Sequence, residues 1–136
     1  MFGFGKKQNP LAPAPRTVRD LLVVDSDIAT ARLLVRIAET RSRSASTAKN
    51  VEEALNLCRR FNYRIILLEH YLLGGLGTDL IRRLQAEDLI KDSLLALLAD
   101  GDAAARQTLY SAVPRKTILE RPLTVTKFEA LVKELN

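Results

Sequence analysis

Short apolar runs alternate with helix-periodic segments along most of this chain. Leu21-Leu22-Val23-Val24 is a continuous apolar run, as expected for a strand buried on both faces of a parallel sheet. Asp25-Ser26-Asp27 follows with N-cap chemistry. Ile28, Ala31, Leu34, Val35 and Ala38 then share one helical face, opposite Arg32, Arg36 and Glu39. Ser44 to Ala48 is short and polar, which suits an edge strand. Asn50 can cap a second helix with the stripe Val51, Ala54, Leu55, Cys58 and Phe61. Ile65 to Leu68 predicts a third strand, and the loop Leu73 to Gly77 leads into a helix carrying Leu80, Ile81 and Leu84. Leu94 to Leu98 predicts a fourth strand, and Asp100 to Ala112 a weaker, alanine-rich helix. Thr117 to Leu119 is a short fifth strand, broken at Arg121-Pro122 because proline has no ladder donor. Thr124 caps a last helix with Val125, Phe128, Leu131, Val132 and Leu135 on one face.

Five strands alternating with five helices predict an α/β fold: a flavodoxin-like, doubly wound five-stranded parallel sheet of order 2-1-3-4-5 with right-handed crossovers. Strands two and five, the edges of that order, are the least apolar runs. Functional groups in such a sheet collect beyond the carboxyl ends of the strands. Asp25, Ser26, Asp27, Glu69, Leu98 and Arg121 therefore fall in one neighbourhood.

The chain has 136 residues, most simply one domain. Residues 1–17 hold three prolines and two glycines without periodicity and read as a disordered basic tail; residues 18–136 form the domain. Phe2 and Phe4 beside Lys6 and Lys7 suit weak docking at most. Four of the five excess positive charges come from Lys6, Lys7, Arg16 and Arg19: from Asp20 onward there are 17 basic and 16 acidic residues. A basic tail on a near-neutral body argues against nucleic acid as the partner. Cys58 is the only cysteine, which excludes an intramolecular disulfide and suits a reducing cytoplasm. No apolar run is long enough to span a bilayer and no signal-peptide core is present, so a cytoplasmic protein without integral membrane contact is expected.

From Asp20 to the C-terminus the chain resembles a response regulator receiver domain of the chemotaxis-regulator type, without an output domain. The resemblance is carried by Leu-Leu-Val-Val-Asp-Ser-Asp at 21–27, Val-Glu-Glu-Ala-Leu at 51–55, Tyr-Arg-Ile-Ile-Leu-Leu-Glu at 63–69 with Gly77, and Arg121-Pro122. It implies two adjacent acids holding Mg²⁺ after the first strand. Asp25 retains the first and Ser26 stands at the second, while Asp27 lies one position on as a helix cap. The phosphoacceptor aspartate of the family corresponds to Glu69, its Ser/Thr to Leu98, its lysine to Arg121, its switch aromatic to Ile118, and the usual proline after the acceptor to Leu73.

These departures describe a degenerate pocket. A serine supplies less charge than a carboxylate to a hard cation. A glutamate carries the acceptor oxygen about one methylene too far for in-line transfer. Glu69 is read either as a mimic of the phosphorylated state or as one partner of an ion pair in which Arg121 binds Asp25 and Glu69; arginine's planar fork favours the second. His70 is expected to be exposed, and Cys58 to be a core residue. Gly74, Gly75 and Gly77 form no phosphate-binding fingerprint.

No nucleophile–base pair is visible, so no enzyme is expected, and no cofactor or metal. The expected function is that of a stand-alone pseudo-receiver in bacterial two-component or cell-organisation signalling, acting through a protein partner such as a histidine kinase or phosphotransfer protein. Candidate contacts are Tyr110, Ile118 and Lys127 on the face of the fourth helix, fifth strand and fifth helix, which could also make a homodimer, and Arg32 and Arg36 on the first helix. Two alternatives stay open: a small-ligand effector of the cyclic di-GMP type using paired arginines, and a weak phosphoryl acceptor in a phosphorelay.

Overall fold

The computed structural model describes residues 15–99 and 111–136. Within them the elements run β1 (Thr17–Val24), α1 (Ile28–Thr40), β2 (Ala45–Ala48), α2 (Val51–Arg60), β3 (Phe61–Glu69), β4 (Tyr71–Leu72), β5 (Gly75–Leu76), α3 (Gly77–Ala86), β6 (Leu94–Ala99), β7 (Lys116–Glu120) and α4 (Val125–Val132). A 3₁₀ turn, Lys133–Leu135, closes the chain. The five long strands form one parallel sheet of order β2-β1-β3-β6-β7. That is the predicted order, with a small antiparallel hairpin, β4–β5, inserted between the third strand and the third helix. Four α-helices are described rather than five. The helix expected over Asp100 to Ala112 lies almost wholly outside the described residues, and Ser111 and Ala112, at its end, form a turn.

The continuous apolar runs arise because the central strands are covered on both sides. Leu22, Val24, Ile66, Leu68, Leu95 and Leu97 point into one core with Val51, Ala54, Leu55 and Cys58 of α2 and Leu80, Ile81 and Leu84 of α3. Their alternates Leu21, Val23, Ile65, Leu67, Ala96 and Leu98 point into a second core with Ala31, Leu34 and Ala38 of α1 and Phe128, Leu131 and Val132 of α4. Burial pushes the Cys58 thiol up to about 12, as suits a core residue.

The three expected caps are present. The side chains of Asp27, Asn50 and Thr124 accept from the backbone N–H of Thr30, Glu53 and Lys127. Phe61 closes α2 and opens β3 instead of continuing the α2 stripe. β1 starts at Thr17, four residues before the apolar run. Arg16, expected in the tail, is fastened to the body. Its guanidinium donates to the carbonyls of Cys58, Phe61 (3.1 Å) and Leu89 (3.2 Å), joining the end of α2 to the loop after α3.

Candidate functional site

The parallel sheet brings the ends of β1, β3 and β6 and the residues after β7 to one edge of the molecule. A cleft of about 500 Å³ opens there, lined by Asp25, Asp27, Glu69, Leu98 and Arg121, with Thr30 and Leu34 from α1 and with Pro122 and Leu123. Five of the six predicted site residues thus meet. Ser26 does not: its hydroxyl donates to Lys49 O (2.7 Å) and accepts from Leu73 N (2.8 Å). It ties the β1–α1 turn to the β4–β5 hairpin instead of facing the cleft.

Glu69 is 7% exposed and both its oxygens are engaged. Oε1 is ion-paired with Arg121 Nη2, and Oε2 accepts from Tyr71 N at 3.2 Å. Leu98 is the register partner of Glu69 on β6, and Leu119 is the next partner on β7. Arg121 therefore spans the apolar Leu98 side of the cleft to reach the central strand. The Arg121–Pro122 peptide bond is cis.

Asp25 is 9% exposed, and its Oδ1 accepts from Asp27 N at 2.9 Å. Burial raises its carboxyl above the ordinary value. The Asp27 N–H bond opposes this, the Asp27 charge adds to it, and the charge of Arg121 opposes it. The direct contact of Arg121 is with Glu69, while Asp25 feels it through charge. Asp27 is exposed and held below the usual carboxylate range by the Thr30 hydroxyl, which donates to it at 2.8 Å.

These donors do not fit Mg²⁺. Mg²⁺ keeps several waters but is held through one or two carboxylates, and only Asp25 keeps a carboxylate oxygen outside the hydrogen bonds and ion pairs described for this cleft. Here Glu69 is committed to a guanidinium and an amide, Asp27 to the α1 cap, and Ser26 to two backbone groups. Arg121 supplies the positive charge beside Glu69.

Other predicted residues fall as follows. His70 is buried rather than exposed, with its ring edge-on to Tyr71 at 4.6 Å and its carbonyl accepting from Gly77 N. Ile118 is half-buried and packs against the α2–α3 core. Lys127 is exposed, with Nζ donating to Glu120 O at 3.3 Å. Arg32 and Arg36 are exposed on α1. Tyr110 lies outside the described residues. Among the paired arginines of the sequence, Arg41 pairs with Glu129, Arg59 with Glu87, Arg82 with Asp79 and Arg83 with Glu52, while Arg43 binds Asn136 and Arg115 donates to Asp92 O. One feature had no sequence signal: the β4–β5 hairpin exposes Tyr71, Leu73 and Leu76. Two-residue strands are too short to show a period, and only Gly74, at φ +80°, marks the turn.

No protein-family model and no curated protein matches the sequence. Solved structures do match the fold. A chemotaxis response regulator from Vibrio cholerae superposes with a TM-score of 0.77 at 15% identity, covering 88% of this chain and 100% of the other. The chain has the receiver-domain fold. A response regulator from Chloroflexus aurantiacus gives 0.73 at 23% identity over 88% and 98% of the two chains. An adenylate cyclase structure from Rhodopirellula baltica gives 0.68 at 20% identity over 85% of each. At these identities the likeness fixes the receiver fold alone, and one fold hosts many activities. No helix among the described residues is long and apolar enough to cross a membrane.

Proposed function

We propose that this chain is a pseudo-receiver: a non-enzymatic protein-interaction module of bacterial signal transduction whose cleft is held in one state by an internal ion pair. The observation that carries this reading is the Glu69–Arg121 pair. The carboxylate at the acceptor position is neutralised by the chain's own arginine, and its second oxygen is taken by the Tyr71 amide. A phosphoryl donor would have to displace both before attack by Glu69. Leu98 supplies no hydroxyl to bond a phosphoryl group, and half-buried Ile118 supplies no aromatic to rotate.

The receiver fold supports a place in two-component signalling, with a histidine kinase, a phosphotransfer protein or another signalling protein as partner. Binding is then independent of phosphorylation. The pair is also the reason to prefer a structural Glu69 over a mimic of the phosphorylated state: a mimic would need a donor at position 98. Incubation with acetyl phosphate and Mg²⁺ followed by mass spectrometry tests the reading. Glu69 is expected to stay unmodified, and an acyl phosphate on Glu69 would overturn it.

A further inference from the structure

Away from the cleft, a groove lies between α1 and the outer side of β2. It measures about 690 Å³, and its walls are Arg32, Leu33 and Arg36 on one side and Ala45 and Thr47 on the other, with Glu39 at one end. β2 is an edge of the sheet. Leu21 N donates to Ser44 O and Asp25 N to Ala48 O, so the even-numbered residues of β2 face β1. Ala45 and Thr47 therefore turn their N–H and C=O groups outward, where they meet no partner among the described residues. The flanking N–H groups are already used, Arg43 N by Ala38 O and Lys49 N by Glu53. The open row is thus two residues long and sharply bounded.

Three observations say what could lie along it. First, Ala45-Ser46-Thr47-Ala48 is short but carries no charge, proline or bulge, whereas the opposite edge strand, β7, begins at Lys116 and ends at Glu120. Second, Arg32 and Arg36, one helical turn apart and both exposed along this groove, have no acidic partner within ion-pair distance among the described residues. Third, the spacing fits. Four residues of helix advance about 6 Å, and two residues of strand about 6.6 Å. Acids at alternate positions of an added strand, which share one face, would match the two guanidiniums of α1.

We infer that the β2 edge binds an extended segment of another protein by strand addition, with an acid-x-acid pattern whose carboxylates pair with Arg32 and Arg36 and whose backbone bonds Ala45 and Thr47. Half-exposed Leu33 offers apolar contact between the two arginines. A second copy of this chain is a poorer occupant. Two-fold pairing of β2 with β2 sets the arginine pairs of the two α1 helices against each other, and like charges so placed repel. The inference does not depend on the state of the Glu69 cleft.

The test is amide NMR and hydrogen exchange on the full chain titrated with the peptide acetyl-Thr-Val-Glu-Val-Glu-Val-Thr-amide. Expected are shifts and slowed exchange at Ala45 and Thr47, about tenfold weaker binding when both glutamates become glutamine or when Arg32→Glu and Arg36→Glu are combined, and no binding by a peptide N-methylated at alternate residues. Absence of shifts at millimolar peptide, shifts elsewhere, or equal binding of the glutamine or N-methylated peptide would overturn the inference. So would concentration-dependent shifts of Ala45 and Thr47 without peptide, because a second copy would then occupy the edge.

Discussion

Arg121 binds Glu69 from two strands away. It follows β7 at the edge of the sheet, and Glu69 ends β3 at the centre. Leu98 of β6 lies between them and lines the same cleft. The pair therefore ties the outer strand to the central one across an apolar residue.

Removing Arg121 should weaken the fold. Glu69 is nearly buried and would lose its countercharge, and Asp25 would lose a nearby cation that favours its ionised form. Breaking a buried pair costs about 3–5 kcal/mol, but Arg121 is about a third exposed, so about 1–2 kcal/mol is expected for Arg121→Ala. Thermal melting should fall on the order of 5 °C. Adding Glu69→Gln should recover much of the loss, and an unchanged melting temperature in Arg121→Ala would show that the pair holds nothing together.

Asp25 should oppose stability at neutral pH. Its folded-state carboxyl is raised above the ordinary value of 3.8, chiefly by burial. The folded state then binds that proton more tightly than the unfolded chain does, so ionised Asp25 costs stability above the folded value, and the cost fades as pH falls through it toward 3.8. Asp25→Asn keeps an oxygen for Asp27 N and should raise the melting temperature at pH 7. The gain should shrink as pH falls through the folded value toward 3.8. A loss at pH 7 would mean that the charge on Asp25 is needed by Arg121.

Arg16→Ala should destabilise the domain by about 1–2 kcal/mol, because one guanidinium serves three main-chain carbonyls that are 31 residues apart at the extremes, from Cys58 to Leu89. Chemical denaturation of the two proteins measures it. A difference near zero would place Arg16 with the preceding residues rather than with the fold.

Ser26→Ala should loosen the β4–β5 hairpin while leaving the cleft intact. The hydroxyl bridges Lys49 O and Leu73 N, and at this exposed position its loss should cost about 0.5–1 kcal/mol. Hydrogen exchange should quicken at Leu73. Unchanged exchange there would mean that the Asn50–Leu73 bridge alone fixes the hairpin.

The sheet order was legible because burial on both faces leaves a mark on each strand: Leu21–Val24 and Ile65–Leu68 are continuous apolar runs, and Ala45–Ala48 is not. Asp27, Asn50 and Thr124 were legible as caps because capping is local chemistry, complete within three residues. The meeting of Glu69 with Arg121 followed from topology and charge. What escaped was directional or non-local. Ser26 stands where an acid stands in receivers, but its hydroxyl turns toward Leu73, 47 residues on. The three carbonyls that hold Arg16 lie at the α2–β3 junction and in the loop after α3, and no pattern around Arg16 announces them. His70 is buried just before the hairpin, its ring against Tyr71 and its carbonyl accepting from Gly77 N, and strands as short as Tyr71–Leu72 and Gly75–Leu76 show no periodicity.

The central claim is that the cleft is fixed by its own ion pair. The most direct measurement is an amide NMR spectrum of the full chain with and without Mg²⁺ and beryllofluoride, which mimics a bound phosphoryl group. An unchanged spectrum is predicted, because Glu69 is already held by Arg121 and the Tyr71 amide. Shifts at Glu69, Leu98 and Arg121 that spread to Ile118 would contradict the account and show a working switch.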